Sequence, residues 1–175
     1  MLLRPLSLVL PVALAIANPF VGRSEVTALQ EACNKINTTL YDVIKACNAF
    51  SINVDSAHAE EVFNLSKTLQ SRVRDASEVV PDALDGKWLC ESYTNVSSPG
   101  LQLSEDFIAL KKDFQSVDLL NDTCLLLQKS SKGSALLDRK LLDATPDSWK
   151  ACVQRYQEIS ENMTAKVLEA YCGHS

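Results

Sequence analysis

The sequence has no strand-type alternation of apolar and polar residues over any useful length, no internal repeat and no low-complexity tract. That removes sheet-built and solenoid folds on pattern alone. Histidine is nearly absent, with His58 and His174 the two present. There is no Gly-x-Ser-x-Gly elbow, no glycine-rich phosphate loop and no His-Glu-x-x-His. The hydrolase, nucleotide-binding and zinc-protease chemistries that need those arrangements therefore have no anchor. Basic clusters are missing as well. The 17 Lys and Arg are dispersed among 22 Asp and Glu, for a net charge of −5, which argues against nucleic acid and polybasic membrane binding. Beyond the N-terminal segment, no apolar run reaches the roughly 20 residues that a membrane-spanning helix needs.

That N-terminal segment reads as an export signal. Arg4 supplies the positive end, Leu6 to Ala17 is a short apolar run interrupted by Pro11, and Ala15-Ile16-Ala17 is a small-x-small cleavage site. Residues 1–17 are expected to be removed, leaving 18–175 as a single secreted domain large enough for a hydrophobic core. Five Asn-x-Ser/Thr triplets, at Asn37, Asn64, Asn95, Asn121 and Asn162, fit a glycoprotein. No apolar anchor tail follows Cys172, so no lipid anchor is expected.

What is abundant is helical periodicity. Val26, Leu29, Cys33, Ile36, Leu40, Val43, Cys47 and Phe50 recur at alternating steps of three and four, one continuous stripe on a helix over about 24–50 that must be buried against other helices. A second helix is expected over 57–80, capped by Asp55 or Ser56, striped by Val62, Leu65, Leu69, Val73, Ala76 and Val80, and stopped by Pro81. Residues 81–100 read as a long connection with a helical turn around Trp88. A third helix, 104–116, has Ser104 as its N-cap and a stripe of Phe107, Leu110, Phe114 and Val117. A fourth, 119–143, is leucine-rich, with a kink or loop expected at Ser130 to Ser134 around Gly133. The fifth opens on Thr145 as N-cap with Pro146 as first helical residue, and runs from Trp149 through Val153, Tyr156 and Val167 to Cys172. The short connections imply antiparallel neighbours. The fold class is therefore an all-α, up-and-down bundle of about five helices, stapled by disulfides.

Six cysteines, Cys33, Cys47, Cys90, Cys124, Cys152 and Cys172, allow fifteen pairings. Cys33 and Cys47 stand roughly 21 Å apart along one helix at 1.5 Å per residue, and a disulfide needs its Cα atoms within about 7 Å, so they cannot pair. The same reasoning separates Cys152 from Cys172. In an up-and-down bundle Cys33, Cys90 and Cys152 lie toward one end, and Cys47, Cys124 and Cys172 toward the other. Three at each end cannot all pair locally, so either the Cys90 segment reaches further or two thiols stay free. The favoured pairings are Cys47 with Cys124 or Cys172, and Cys90 with Cys33 or Cys152. All six are taken as candidate disulfide residues. A metal site is not expected, because the spacings are not those of paired close ligands and two isolated histidines add little. No catalytic residue, metal ligand or cofactor is assigned.

The interior candidates include Phe50, Phe63, Phe107, Phe114 and Tyr156. Such residues either fill a core solidly or leave a slot between helices. The stretch Phe107-Ile108-Ala109-Leu110-Lys111-Lys112-Asp113-Phe114, then a leucine-rich helix, Leu142-Asp143-Ala144-Thr145-Pro146-Asp147, and a last helix ending in Ala170-Tyr171 resembles the fungal hydrophobic surface-binding protein A and cell wall galactomannoprotein family. Lys67-Thr68-Leu69, Arg74-Asp75-Ala76 and Val79-Val80 extend the resemblance through the front half. The chain departs from that family in its six cysteines. The resemblance implies a secreted, non-catalytic helical protein that binds hydrophobic surfaces or fatty-acyl ligands, with no individual pocket residue assigned. The alternative is a protein-binding module, an effector or an inhibitor of the pectin methylesterase and invertase inhibitor type. The segment from Cys33 to Tyr41 bears a likeness to the opening hairpin of those inhibitors, although the Cys33–Cys47 gap is longer here. A structural wall glycoprotein is the third reading.

Overall fold

The computed structural model describes residues 23–95 and 99–173, with side chains over 28–90 and 99–173. The expected export segment 1–17, the side chain of Asn95 and residue His174 lie outside the described residues. Everything described is helix or short connection: α1 Arg23–Ile52, α2 Ser56–Glu78, α3 Gly86–Asn95, α4 Pro99–Ser116, α5 Leu120–Asp143 and α6 Asp147–Cys172. No described helix is long and apolar enough to cross a membrane.

The long stripe of α1 is buried as its period requires. Leu29, Cys33, Ile36, Leu40, Val43, Cys47 and Phe50 are each no more than 2% exposed. α2 starts where Asp55 accepts a hydrogen bond from the His58 backbone N–H at 2.9 Å. That bond and the His58 ring hold the Asp55 carboxyl below the usual carboxylate range. Arg72 ties α2 to α1 by donating to the Lys35 carbonyl at 2.6 Å and to the Thr39 hydroxyl.

Three boundaries differ from the sequence expectation. The segment after Pro81 contains a full helix, α3, because Asp85 caps it by accepting from the backbone N–H groups of Lys87 and Trp88 at 3.0 and 3.1 Å. α4 begins at Pro99, not at Ser104. Proline is well suited to a first helical turn, and starting early buries Leu101 and Leu103. Ser104 then lies inside the helix and donates to the Gly100 carbonyl at 3.3 Å. Thr145 does not cap α6: its hydroxyl is turned back onto the Leu141 carbonyl at 2.6 Å, and Pro146 takes the N-cap position with no side-chain hydrogen bond. α5 continues without a break through Ser130–Ser134, since a serine-rich turn costs only tenths of a kcal/mol per residue when both ends are held by packing.

The five long helices form a ring in the order α1, α2, α5, α6, α4, with α3 laid on α6. At one end the C-terminal parts of α1, α4 and α6 converge. Phe50 and Phe114 have ring centroids 4.8 Å apart, and Phe114 lies 6.2 Å from Tyr171. α2 and α5 start from that end and run the other way, arriving together where Lys140 Nζ donates to the Ser77 carbonyl at 2.6 Å. The α1–α2 and α5–α6 hairpins are antiparallel neighbours as the short connections imply. α4 and α5 are joined by 117–119 yet touch only lightly across the ring. The turn between them is made by Asp118 at φ 61°, a left-handed conformation that aspartate tolerates better than most residues. Gly86 marks another tight place. A Cβ there would sit 2.5 Å from the Trp149 Cβ, so α3 approaches α6 only because residue 86 has no side chain.

Candidate functional site

The light contact between α4 and α5 leaves a slot. It is a cavity of about 80 Å³ bounded by α2, α4, α5 and α6. Its apolar lining is Leu69 from α2, Leu103 and Phe107 from α4, Leu126 and Leu127 from α5, and Val167 and Leu168 from α6. Hydroxyls form the rest: Ser66, Ser104, Ser130, Ser131, Ser134 and Thr164. Ser66 is turned onto its own helix, donating to the Val62 carbonyl at 2.7 Å. The serine-rich middle of α5, expected to kink or loop, is thus straight helix whose small side chains keep the slot from filling. No charged residue lines it. Its volume is below the roughly 150 Å³ of a void that accepts a benzene ring. A long chain would therefore enter only if the helices around the slot part.

Below the slot lies an aromatic floor. Phe107 and Phe114 are stacked at 5.9 Å, and the Tyr171 hydroxyl donates to the Phe107 carbonyl at 2.6 Å. Burial pushes the Tyr171 phenol well above its ordinary range, so it stays a neutral donor. Of the aromatic interior candidates, Phe50, Phe107 and Phe114 are buried, while Phe63 and Tyr156 are half-buried. The Lys67 Nζ stands 4.3 Å from the Phe63 ring centroid.

The cysteines divide as the two-ended geometry demands, but with a different outcome on α1. Cys90 pairs with Cys152 across α3 and α6, Cα to Cα 6.0 Å, and Cys124 with Cys172 across α5 and α6, 5.4 Å. Cys33 and Cys47 are free and buried. The expectation that they are disulfide residues, with Cys47 bonded to Cys124 or Cys172, is therefore wrong. Both sit on the innermost stripe of α1, among apolar side chains, and neither faces a partner cysteine. Burial pushes the Cys33 thiol up to about 12. It pushes Cys47 higher still, with Asp106 adding to the effect. These are inert thiols rather than nucleophiles. Among the described residues no cluster of His, Cys, Asp and Glu is placed to hold a metal ion.

Four of the five glycosylation triplets lie wholly on described helix surfaces. Asn64, Asn121 and Asn162 are exposed. Asn37 is half-buried, with its Oδ1 buried and unpartnered, so it is poorly placed to carry a glycan. Residues i and i+2 face nearly opposite ways on a helix, which sends the triplet hydroxyls inward. Thr39, Ser66 and Thr123 are buried and bond the carbonyl one turn back, and Thr164 lines the slot. Packing thus gives these serines and threonines a role independent of glycosylation.

No family model matches the sequence, and no curated protein matches it. The fold is similar to that of AfMP4p. The likeness to that protein, solved in complex with palmitic acid, has a TM-score of 0.76 over 85% of this chain and 99% of AfMP4p, at 14% identity. At that identity the likeness to AfMP4p is one of fold. Of the favoured cysteine pairings, Cys90 with Cys152 is the one present, while the slot has no counterpart in the sequence pattern. The one local signal was the run of small residues in α5, which read as weakness in the helix.

Proposed function

We propose that this chain is a secreted, non-catalytic glycoprotein that takes up fatty-acyl chains or adsorbs to oily surfaces, of the hydrophobic surface-binding protein A and cell wall galactomannoprotein type. The observation that carries the reading is the slot between α2, α4, α5 and α6, lined by apolar side chains and hydroxyls and by no charge, in a fold like that of a protein solved with palmitic acid. Each methylene moved from water into the slot contributes roughly 0.8 kcal/mol, offset by the cost of immobilising the chain. A ligand headgroup remains at the slot's hydroxyls or in water, because no cation lines the slot. The exposed Asn64, Asn121 and Asn162 are the glycan acceptors in this reading, and export exposes the cysteines to the oxidising conditions that form two disulfides.

The inhibitor alternative drew on the cysteines of the opening helix. Those thiols are both free and buried in α1, so its distinguishing feature has no structural counterpart here. The test is displacement of a fluorescent fatty acid by palmitate, in the native chain and in Ser130→Trp, which puts a large ring into the slot from a half-buried position. We expect binding by the native chain and a loss of at least roughly tenfold, about 1.4 kcal/mol, in the variant. Equal binding by both, or none by either, would remove the slot as the ligand site.

A further inference from the structure

One buried ionisable group is unused by the reading above. Asp138, on α5 one turn beyond the slot-lining Ser134, is 6% exposed, and its Oδ1 has no hydrogen-bond partner. Its backbone carbonyl accepts from the Gln157 side-chain amide of α6 at 2.7 Å. That bond ties the α5 backbone at Asp138 to α6. Glu161, also on α6 and three residues before the slot-lining Thr164, is the charge that bears on it. Among the described residues no cation is seen to offset the Asp138 carboxyl. From α2, Ser77 faces this stretch with its carbonyl occupied by Lys140, and Arg74, Asp75 and Glu78 are exposed. On α4, Glu105 is exposed and half-buried Asp106 is influenced by Glu105 rather than by Asp138. On α5 itself, Arg139 is exposed and Lys140 is committed to α2.

We propose that Asp138 and Glu161 form an acid-closed latch across α5 and α6, which keeps the adjoining slot shut in acid and frees it to exchange ligand as the pH rises. The ligand part of the proposal rests on the acyl-binding reading of the slot. A neutral carboxyl fits the seam. A carboxylate does not, because it is buried without a partner and faces a second negative charge. Burial first, then Glu161, pushes Asp138 up to about 7. The closed state therefore keeps its proton over a range in which an open, hydrated state loses it. The sign follows directly: closure is most stable below about pH 4, where both states hold the proton, and weakens as the pH climbs to about 7. The walls that part are those of the slot, since Ser134 and Thr164 stand one turn from the two carboxyls on the same helices.

Two measurements separate the latch from the binding reading. The first needs no ligand: hydrogen exchange of α5 amides and thermal midpoint, at pH 5 and pH 8. The native chain should exchange roughly tenfold faster in α5 at pH 8, after correction for intrinsic rates, and melt lower. Asp138→Asn should lose most of that difference. Glu161→Gln, at an exposed position that leaves the fold intact, should move the midpoint of the effect to lower pH. The second is release of a pyrene-tipped long-chain alcohol, which does not titrate; it should be roughly tenfold faster at pH 8 than at pH 5, and insensitive to pH in Asp138→Asn. Identical pH profiles in the native chain and both variants would overturn the latch. An intact exchange result with no uptake of the probe at any pH would keep the latch and defeat the acyl-binding reading.

Discussion

Phe114 shows most clearly what single residues contribute. It is 1% exposed and meets Phe50, Phe107 and Tyr171, which come from three different helices or turns of the bundle. Removing its ring leaves a void at the point where α1, α4 and α6 converge. Phe114→Ala should cost about 3–5 kcal/mol out of the 5–15 kcal/mol typical of a whole domain, as read by urea denaturation. A loss under about 1 kcal/mol would mean the aromatic floor is not packed as described. The burial of Phe114 was legible in the sequence, since it falls on the Phe107–Leu110–Phe114 stripe. Its ring partners on other helices were not, because periodicity says which face is inside and not what that face meets.

At the scale of elements, α1 was the most legible and its chemistry the least. Its stripe gave the correct face without exception over the described residues, yet the cysteines in that stripe were taken for staples. A buried seam position favours a small apolar side chain, and a thiol serves as one. Pairing also needs a second cysteine at the same place, which depends on how the ring of helices closes. The resulting prediction is specific. Alkylation of the native protein should label no cysteine, and alkylation after denaturation without reductant should label two. Peptide mapping should place both labels at Cys33 and Cys47. One or no label, or label at Cys124 or Cys172, would contradict the assignment. The missed helix α3 and the early start of α4 have a common cause. Proline, glycine, serine and aspartate are loop formers and also the residues that begin helices, and 81–100 is rich in all four. The supposed kink in α5 failed for the opposite reason, since serines and a glycine lower helix propensity by less than packing at both ends restores.

The whole molecule is a ring whose sequence-adjacent members do not always touch. α4 and α5, three residues apart in the chain, stand on opposite sides of an unfilled slot. That arrangement produces the cavity, and no local pattern encodes it. All-α class and the disposition of cysteines at two ends followed from periodicity and helix geometry. The slot depended on which helices fail to meet. The account's central claim is that this slot opens to admit one apolar chain. Native mass spectrometry of the purified protein, with and without added long-chain fatty acid, tests it most directly. The predicted result is a mass increment of one acyl chain per protein, saturating at one, and absent in Ser130→Trp. An unliganded mass at every fatty acid concentration, or uptake of many chains by both proteins alike, would contradict the account.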